Sequence, residues 1–217
     1  MLTLSQLTVK NVLVQQIRDE IIRGHFAPGQ RLRLRDLAKQ FDVSTQPIRQ
    51  ALSELEAEGL VKSEPRKGAL VTRLTPAELE DIYEIRAKLE AMATEAAIPH
   101  LTEERFEALE QLLLEIDRHL GELVELVQLN YEFHRTLYAA SGRQHLLELT
   151  RTLRHRTQHY LHAYMIEQGQ MPYAQTEHRA IVATCRKGDA KQAKAMMYEH
   201  VMKAGRGIIE YVKKKGD

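Results

Sequence analysis

The chain has 217 residues, 43% hydrophobic and 28% charged, a globular make-up that excludes a disordered or collagen-like protein. Its one cysteine, Cys185, excludes an internal disulfide framework and any site needing two cysteine ligands, and makes a reducing, cytoplasmic compartment the expectation. Charge is unevenly spread: residues 1–74 hold 12 Lys and Arg against 8 Asp and Glu, net +4, whereas residues 75–217 hold 19 against 22, net −3.

No run approaches the ~18 apolar residues of a membrane span, and Met1 to Lys10 lacks a signal-peptide core, so no membrane association is expected. Val9 to Gly24 reads as a helix, with Val14, Ile17, Ile21 and Ile22 at helical spacing and Gly24 as C-cap. Phe26 to Gly29 is a turn. Leu34 to Phe41 is a short helix, broken by Asp42-Val43-Ser44. Ser44 or Thr45 caps a third helix that runs to Glu58 and ends at Gly59. Leu60-Val61 and Ala69-Leu70-Val71 then flank Glu64 to Gly68, the pattern of a β-hairpin with a basic tip. Three helices, a tight turn between the second and third, and a hairpin make a winged helix-turn-helix. In such a motif the start of the second motif helix enters the major groove. Arg49 and Gln46 are the candidate base readers, since Arg suits guanine and Gln adenine. Ser44 and Thr45 suit phosphate at a helix start. Arg33, Arg35, Arg66 and Lys67 are placed to grip the backbone or minor groove.

From Leu74 onward the pattern is all-helical. Thr75-Pro76 opens a helix to about Ile98, and five more follow: Glu103 to Leu120, Glu122 to Ser141, Gln144 to about Glu167, Ala174 to Lys187 and Ala190 to Lys215, with Gln168 to Pro172 as a loop. The expected architecture is mostly α: a winged helix over 1–74 and a helical bundle over 75–217. Nine of the ten histidines lie after residue 99. His134, His178 and His200 each fall on the apolar stripe of a different helix, and neutral imidazole is the commonest transition-metal ligand. Asn130 shares the face of His134. His155, His159 and His162 also have ligand-like spacing, but Arg154, Arg156 and Gln158 beside them mark a polar helix, so they read mainly as surface or pocket-lining residues.

The run Leu37-Ala38, Val43-Ser44-Thr45-Gln46-Pro47-Ile48-Arg49-Gln50-Ala51-Leu52, Leu55, Glu58-Gly59-Leu60-Val61 and Gly68 resembles the winged-helix domain of the GntR family of bacterial repressors. The resemblance puts DNA contacts at Arg35, Arg49 and the wing near Gly68. Thr45 stands where the family usually has Arg, which removes one contact. Asp81-Ile82-Tyr83-Glu84-Ile85-Arg86…Leu89-Glu90, Asn130-Tyr131-Glu132-Phe133-His134, Glu177-His178-Arg179-Ala180-Ile181, Gly188-Asp189 and Ala195…His200 resemble the FCD effector domain of the FadR-type branch. Six helices match its VanR-like arrangement better than the seven-helix, acyl-CoA-binding one. The resemblance implies a divalent metal, Zn²⁺ or Ni²⁺, on Asn130, His134, His178 and His200, with Asn130 where Asp is common. It also places Arg86 inside the bundle, either paired with Glu90 or holding an effector carboxylate.

These readings converge on a cytoplasmic homodimeric repressor, not an enzyme, that binds a pseudo-palindromic double-stranded operator and senses a small carboxylate at a metal site. The rivals are a metal-dependent hydrolase, disfavoured because no H-E-x-x-H spacing or evident general base is present, and a constitutive DNA-binding protein with a structural His cluster.

Overall fold

The computed structural model describes residues 9–64, 67–168 and 172–216, the side chains of 124, 168, 172 and 173 aside. The chain divides into two compact units between Arg73 and Leu74.

The first unit runs α1 (Val9–Ile22), β1 (Arg31–Leu32), α2 (Leu34–Gln40), α3 (Thr45–Ala57), β2 (Val61–Glu64) and β3 (Gly68–Val71). Ile17 and Ile21 of α1 and Ile48, Leu52 and Leu55 of α3 meet in one core with Leu32, Val61 and Val71. The Arg18 guanidinium grips the Glu58 carboxylate at 2.7 and 2.8 Å and ties α1 to the end of α3. The expected hairpin is antiparallel, from Val61 opposite Val71 to Glu64 opposite Gly68. Strand β1 was not expected: two residues carry no readable periodicity. It pairs with β3, Arg31 opposite Leu70 and Leu32 opposite Ala69, giving the order β1-β3-β2. Gly68 sits at φ +108°, and a Cβ there would lie 2.0 Å from the Leu32 carbonyl oxygen. Only glycine permits that approach. Ser44 takes the N-cap position of α3, but its hydroxyl makes no capping bond.

The second unit is α4 (Pro76–Ala97), a 3₁₀ turn (Ile98–His100), α5 (Glu103–Arg118), α6 (Leu123–Ala139), α7 (Gln144–Gln168), α8 (Pro172–Arg186) and α9 (Ala190–Lys215). The loop expected over 168–172 lies mostly outside the described residues; α8 already begins at Pro172. Thr75 and Glu78 close a reciprocal capping box over Pro76. The Leu74 N–H donates to the Tyr160 hydroxyl at 2.6 Å, fixing where this unit starts. No helix among the described residues is long and apolar enough to cross a membrane.

Helix α4 packs along α9 and also touches α6 and α7. Ala87, Ala91, Ala93 and Ala97 keep its surface low, and Gly205 of α9 takes the Tyr83 ring directly against its backbone. A Cβ at Gly205 would lie 2.6 Å from Tyr83 Cγ. With neighbours on several sides, α4 buries polar residues as well: Arg86, Glu90 and Thr94, one helical turn apart. Gly205→Val should therefore lower the unfolding free energy by about 1–3 kcal/mol through overpacking; denaturant unfolding of the full chain measures it.

Candidate functional site

In the first unit, Ser44, Thr45, Gln46 and Arg49 occupy the start of α3 and are all exposed. Arg33 and Arg35 are exposed around the start of α2, and Lys67 in the turn before β3. Arg66 lies outside the described residues. Arg33, Arg35, Arg49 and Lys67 make no ion pair among the described residues. Other cations of this unit do. Lys10 meets Glu54 at 2.5 Å, Arg18 meets Glu58, and Arg31 meets Glu64 at 2.8 Å. Gly68 has a packing role that stands without any DNA contact.

In the second unit α6, α8 and α9 bring His134, His178 and His200 together. They are 2%, 2% and 8% exposed, and one ring nitrogen of each lies within 4.8 Å of the others. Each ring has an outer partner. The Tyr138 hydroxyl donates to Glu90 Oε2 at 2.7 Å, so its oxygen accepts from His134 Nδ1–H at 2.8 Å. His200 Nδ1–H donates to Glu177 Oε2 at 2.8 Å, and His178 Nδ1 faces Gln175 Oε1 at 3.4 Å. These partners place the proton on Nδ1 and leave the Nε2 lone pairs facing inward. His178 Nε2 and His200 Nε2 stand 3.2 Å apart. That is about the separation of two nitrogens sharing one ion at roughly 2.0–2.1 Å. Burial first, then the Arg154 charge, holds His134 well below the usual imidazole range; burial and then His200 do the same for His178. Buried rings, inward lone pairs and oriented Nδ1 protons fit a divalent transition metal.

Beside the rings lies a cavity of about 40 Å³, lined by His134, His200, Asn130, Arg86 and Arg154 among others. Arg86 Nε donates to Glu90 Oε1 at 2.9 Å and its Nη1 to Thr157 Oγ1 at 2.8 Å. Arg154 Nη1 donates to Glu90 Oε2 at 2.7 Å. Glu90 has no solvent exposure. Burial pushes its carboxyl up, but Arg86, Arg154 and the Tyr138 hydrogen bond outweigh this and hold it down at about 2. Two guanidiniums thus face one carboxylate, and the wall carries a surplus positive charge. Of the two alternatives for Arg86, the Glu90 pair is present, and Arg86 lines the cavity as well.

His155, His159 and His162, expected mainly as surface or pocket-lining residues, are instead buried. They are 7%, 5% and 5% exposed, with Arg154 and Gln158 buried beside them. The cause is that α7 packs against α4, α6 and α9. The three histidines do not join the His134 cluster; His155 stacks on Tyr131 instead, ring centroids 5.3 Å apart. Arg154, Tyr138, Gln175 and Glu177 were missed as site residues. Tyr138 and Gln175 sit one turn from His134 and His178, a spacing that could have found them. Arg154 meets Glu90 across 64 residues, and no local pattern announces that.

Glu90→Gln strips the counter-charge from two buried guanidiniums. It should lower the unfolding free energy by about 3–5 kcal/mol, measured by denaturant unfolding at neutral pH. His159 contributes to the pH dependence. Its ring nitrogens have no hydrogen-bond partner among the described residues, and burial pushes it down to about 3. The unfolded chain therefore binds a proton below pH 6.5 that the folded chain refuses until about 3, and stability falls as pH drops through that window. Unfolding measured from pH 7 to 4 should show a shallower loss for His159→Leu than for the native chain.

Both units match known families. Residues 9–71 match the bacterial regulatory proteins of the gntR family, and residues 81–203 match the FCD domain. The HTH-type transcriptional regulator YdhC of Bacillus subtilis is 40% identical over 137 residues, which is 62% of this chain and 61% of YdhC, under two thirds of that protein. The Nta operon transcriptional regulator of Aminobacter aminovorans is 30% identical over 87% of this chain and 89% of its own. McbR/YncC of E. coli has the same fold, with a TM-score of 0.83 at 22% identity over 98% of this chain and all of that one. This chain, with its winged helix-turn-helix and its FCD domain, belongs to the GntR family of bacterial regulatory proteins.

Proposed function

We propose that residues 1–74 bind a pseudo-palindromic DNA operator and that residues 75–217 dimerise the chain and sense a small carboxylate beside a bound Zn²⁺ or Ni²⁺, the whole acting as a cytoplasmic repressor. The observation that carries the sensing half is the juxtaposition of three inward imidazole lone pairs with two arginines that share a single carboxylate. His134, His178 and His200 would hold the ion, with Asn130 as a neutral fourth donor. The ion would act as a Lewis acid toward a carboxylate oxygen. With neutral donors its charge stays uncompensated, and Arg86 and Arg154 add to the pull on an anion. A volume near 40 Å³ favours a short acid such as acetate, lactate or malonate. The acids beside the rings are committed elsewhere, Glu90 to two arginines and Glu177 to His200 and Lys203, so neither is a free general base.

The DNA-binding half is carried by the exposed cations at the starts of α2 and α3, which make no ion pair among the described residues. Phosphate is their natural partner, and Arg49 is placed to read guanine. Effector and operator are then coupled through one free energy: the acid weakens operator binding, and the operator weakens acid binding by the same factor.

Elemental mass spectrometry and fluorescence anisotropy on a selected operator test both halves. Near one Zn²⁺ or Ni²⁺ per chain is expected, lost in His134→Ala and in His178→Ala. Arg49→Ala should weaken the operator complex by about 1–3 kcal/mol and relax base preference at one position. Malonate or lactate should weaken it in the native chain and not in Arg154→Met. Absence of metal after reconstitution would overturn the sensing half, while unchanged operator binding in Arg49→Ala would overturn the base-reading role.

A further inference from the structure

A second cavity lies on the far side of Arg154. It is a groove along α6 and α7 of about 560 Å³, against about 40 Å³ for the cavity beside the histidines. The two share Tyr131 and Arg154 as a common wall. Ligand sites commonly measure about 300–1,000 Å³. A short acid would leave this groove mostly empty, and an aromatic ring cannot enter the smaller cavity.

Two of the residues that line the groove carry a buried polar atom with no hydrogen-bond partner among the described residues. Thr150 is 2% exposed, yet its hydroxyl has no hydrogen-bond partner among the described residues, although a helical threonine can bond a carbonyl one turn back. The Nε of buried Arg154 has none either. Charge points the same way. Arg151 makes no ion pair among the described residues, and Arg135 is held by Glu132 at 2.6 Å. Glu148 is the acid among the lining residues, against three arginines. Between these groups the Tyr131 and Tyr138 rings, Leu147 and Ala139 supply apolar surface. Positive charge above a partly aromatic wall is the complement of a planar apolar anion.

We propose that the groove along α6 and α7 is a second ligand site, for an aromatic carboxylate whose acid group lies between Arg151 and Arg154 and whose ring packs on Tyr131 and Leu147. The site does not depend on a metal at the histidines. Arg154 belongs to both cavities, so occupation of one changes the electrostatics of the other.

Isothermal titration with 1-naphthoate, on the full-length metal-loaded protein, tests this. One naphthoate per chain is expected, bound at least about tenfold more tightly than neutral 1-naphthamide and about tenfold more weakly by Arg151→Gln. Ala139→Trp, at an exposed position lining the groove, should abolish binding without changing the melting temperature. His178→Ala should still bind one naphthoate per chain. No binding, equal binding of the amide, or indifference to Ala139→Trp would each overturn the proposal. Loss in His178→Ala would instead put the ring-bearing acid at the histidines. If naphthoate fails to bind and light scattering shows that Ala139→Trp splits a dimer, a second copy covers the groove and the proposal falls.

Discussion

The interior of the second unit is organised by one carboxylate sealed from water. Glu90 receives hydrogen bonds from Arg86 on its own helix, from Arg154 on α7 and from Tyr138 on α6. An ion of this kind is retained only when its neighbours satisfy it fully, and an apolar core of the same volume is often as stable. The network does what an apolar core would not. Through Tyr138 it sets the proton on His134 Nδ1, and through the two arginines it leaves one positive charge over. The orientation of an inward-facing imidazole nitrogen and the charge of the adjoining wall thus depend on the same pair of oxygens.

Much of this was legible because helices report on their own faces. The apolar stripe of α1 and the inward positions of His134, His178 and His200 follow from three- and four-residue spacing, and the start of α4 from Thr75-Pro76. The Arg86–Glu90 pair is visible in the same way. Helix α7 defeats that logic. Its Arg154, Gln158 and three histidines look like a solvated face, since a polar stripe normally seeks water. They are buried because what α7 packs against is itself polar: Glu90, Tyr131 and Thr157's partner Arg86. A pattern read along one helix cannot tell water from a distant carboxylate. Strand β1 was missed for a plainer reason, being two residues held by pairing with β3 rather than by its own sequence.

The first unit shows a similar division of labour among its cations. Its net charge of +4 suggests only a mild attraction to nucleic acid. The distribution says more. Arg18, Lys10 and Arg31 are spent on carboxylates that tie elements together, while those at the starts of α2 and α3 have no counter-charge among the described residues. A surface retains such cations at a cost in self-repulsion, and an anionic partner removes it.

The contact between Gly205 and Tyr83 has a consequence for what the cavity beside the histidines can admit. Helices α4 and α9 meet at a distance set by a missing side chain, with an aromatic ring wedged where a methyl would go. Such a joint has no slack in either direction: it resists compression, and drawing apart would open a void. Arg86 stands one turn along α4 from that joint, and Val201 and Ala204 of α9 line the same cavity. The chamber is therefore a fixed gauge rather than an adaptable glove. Descendants of this chain would retune it by exchanging the side chains that line it, not by sliding the helices that carry them.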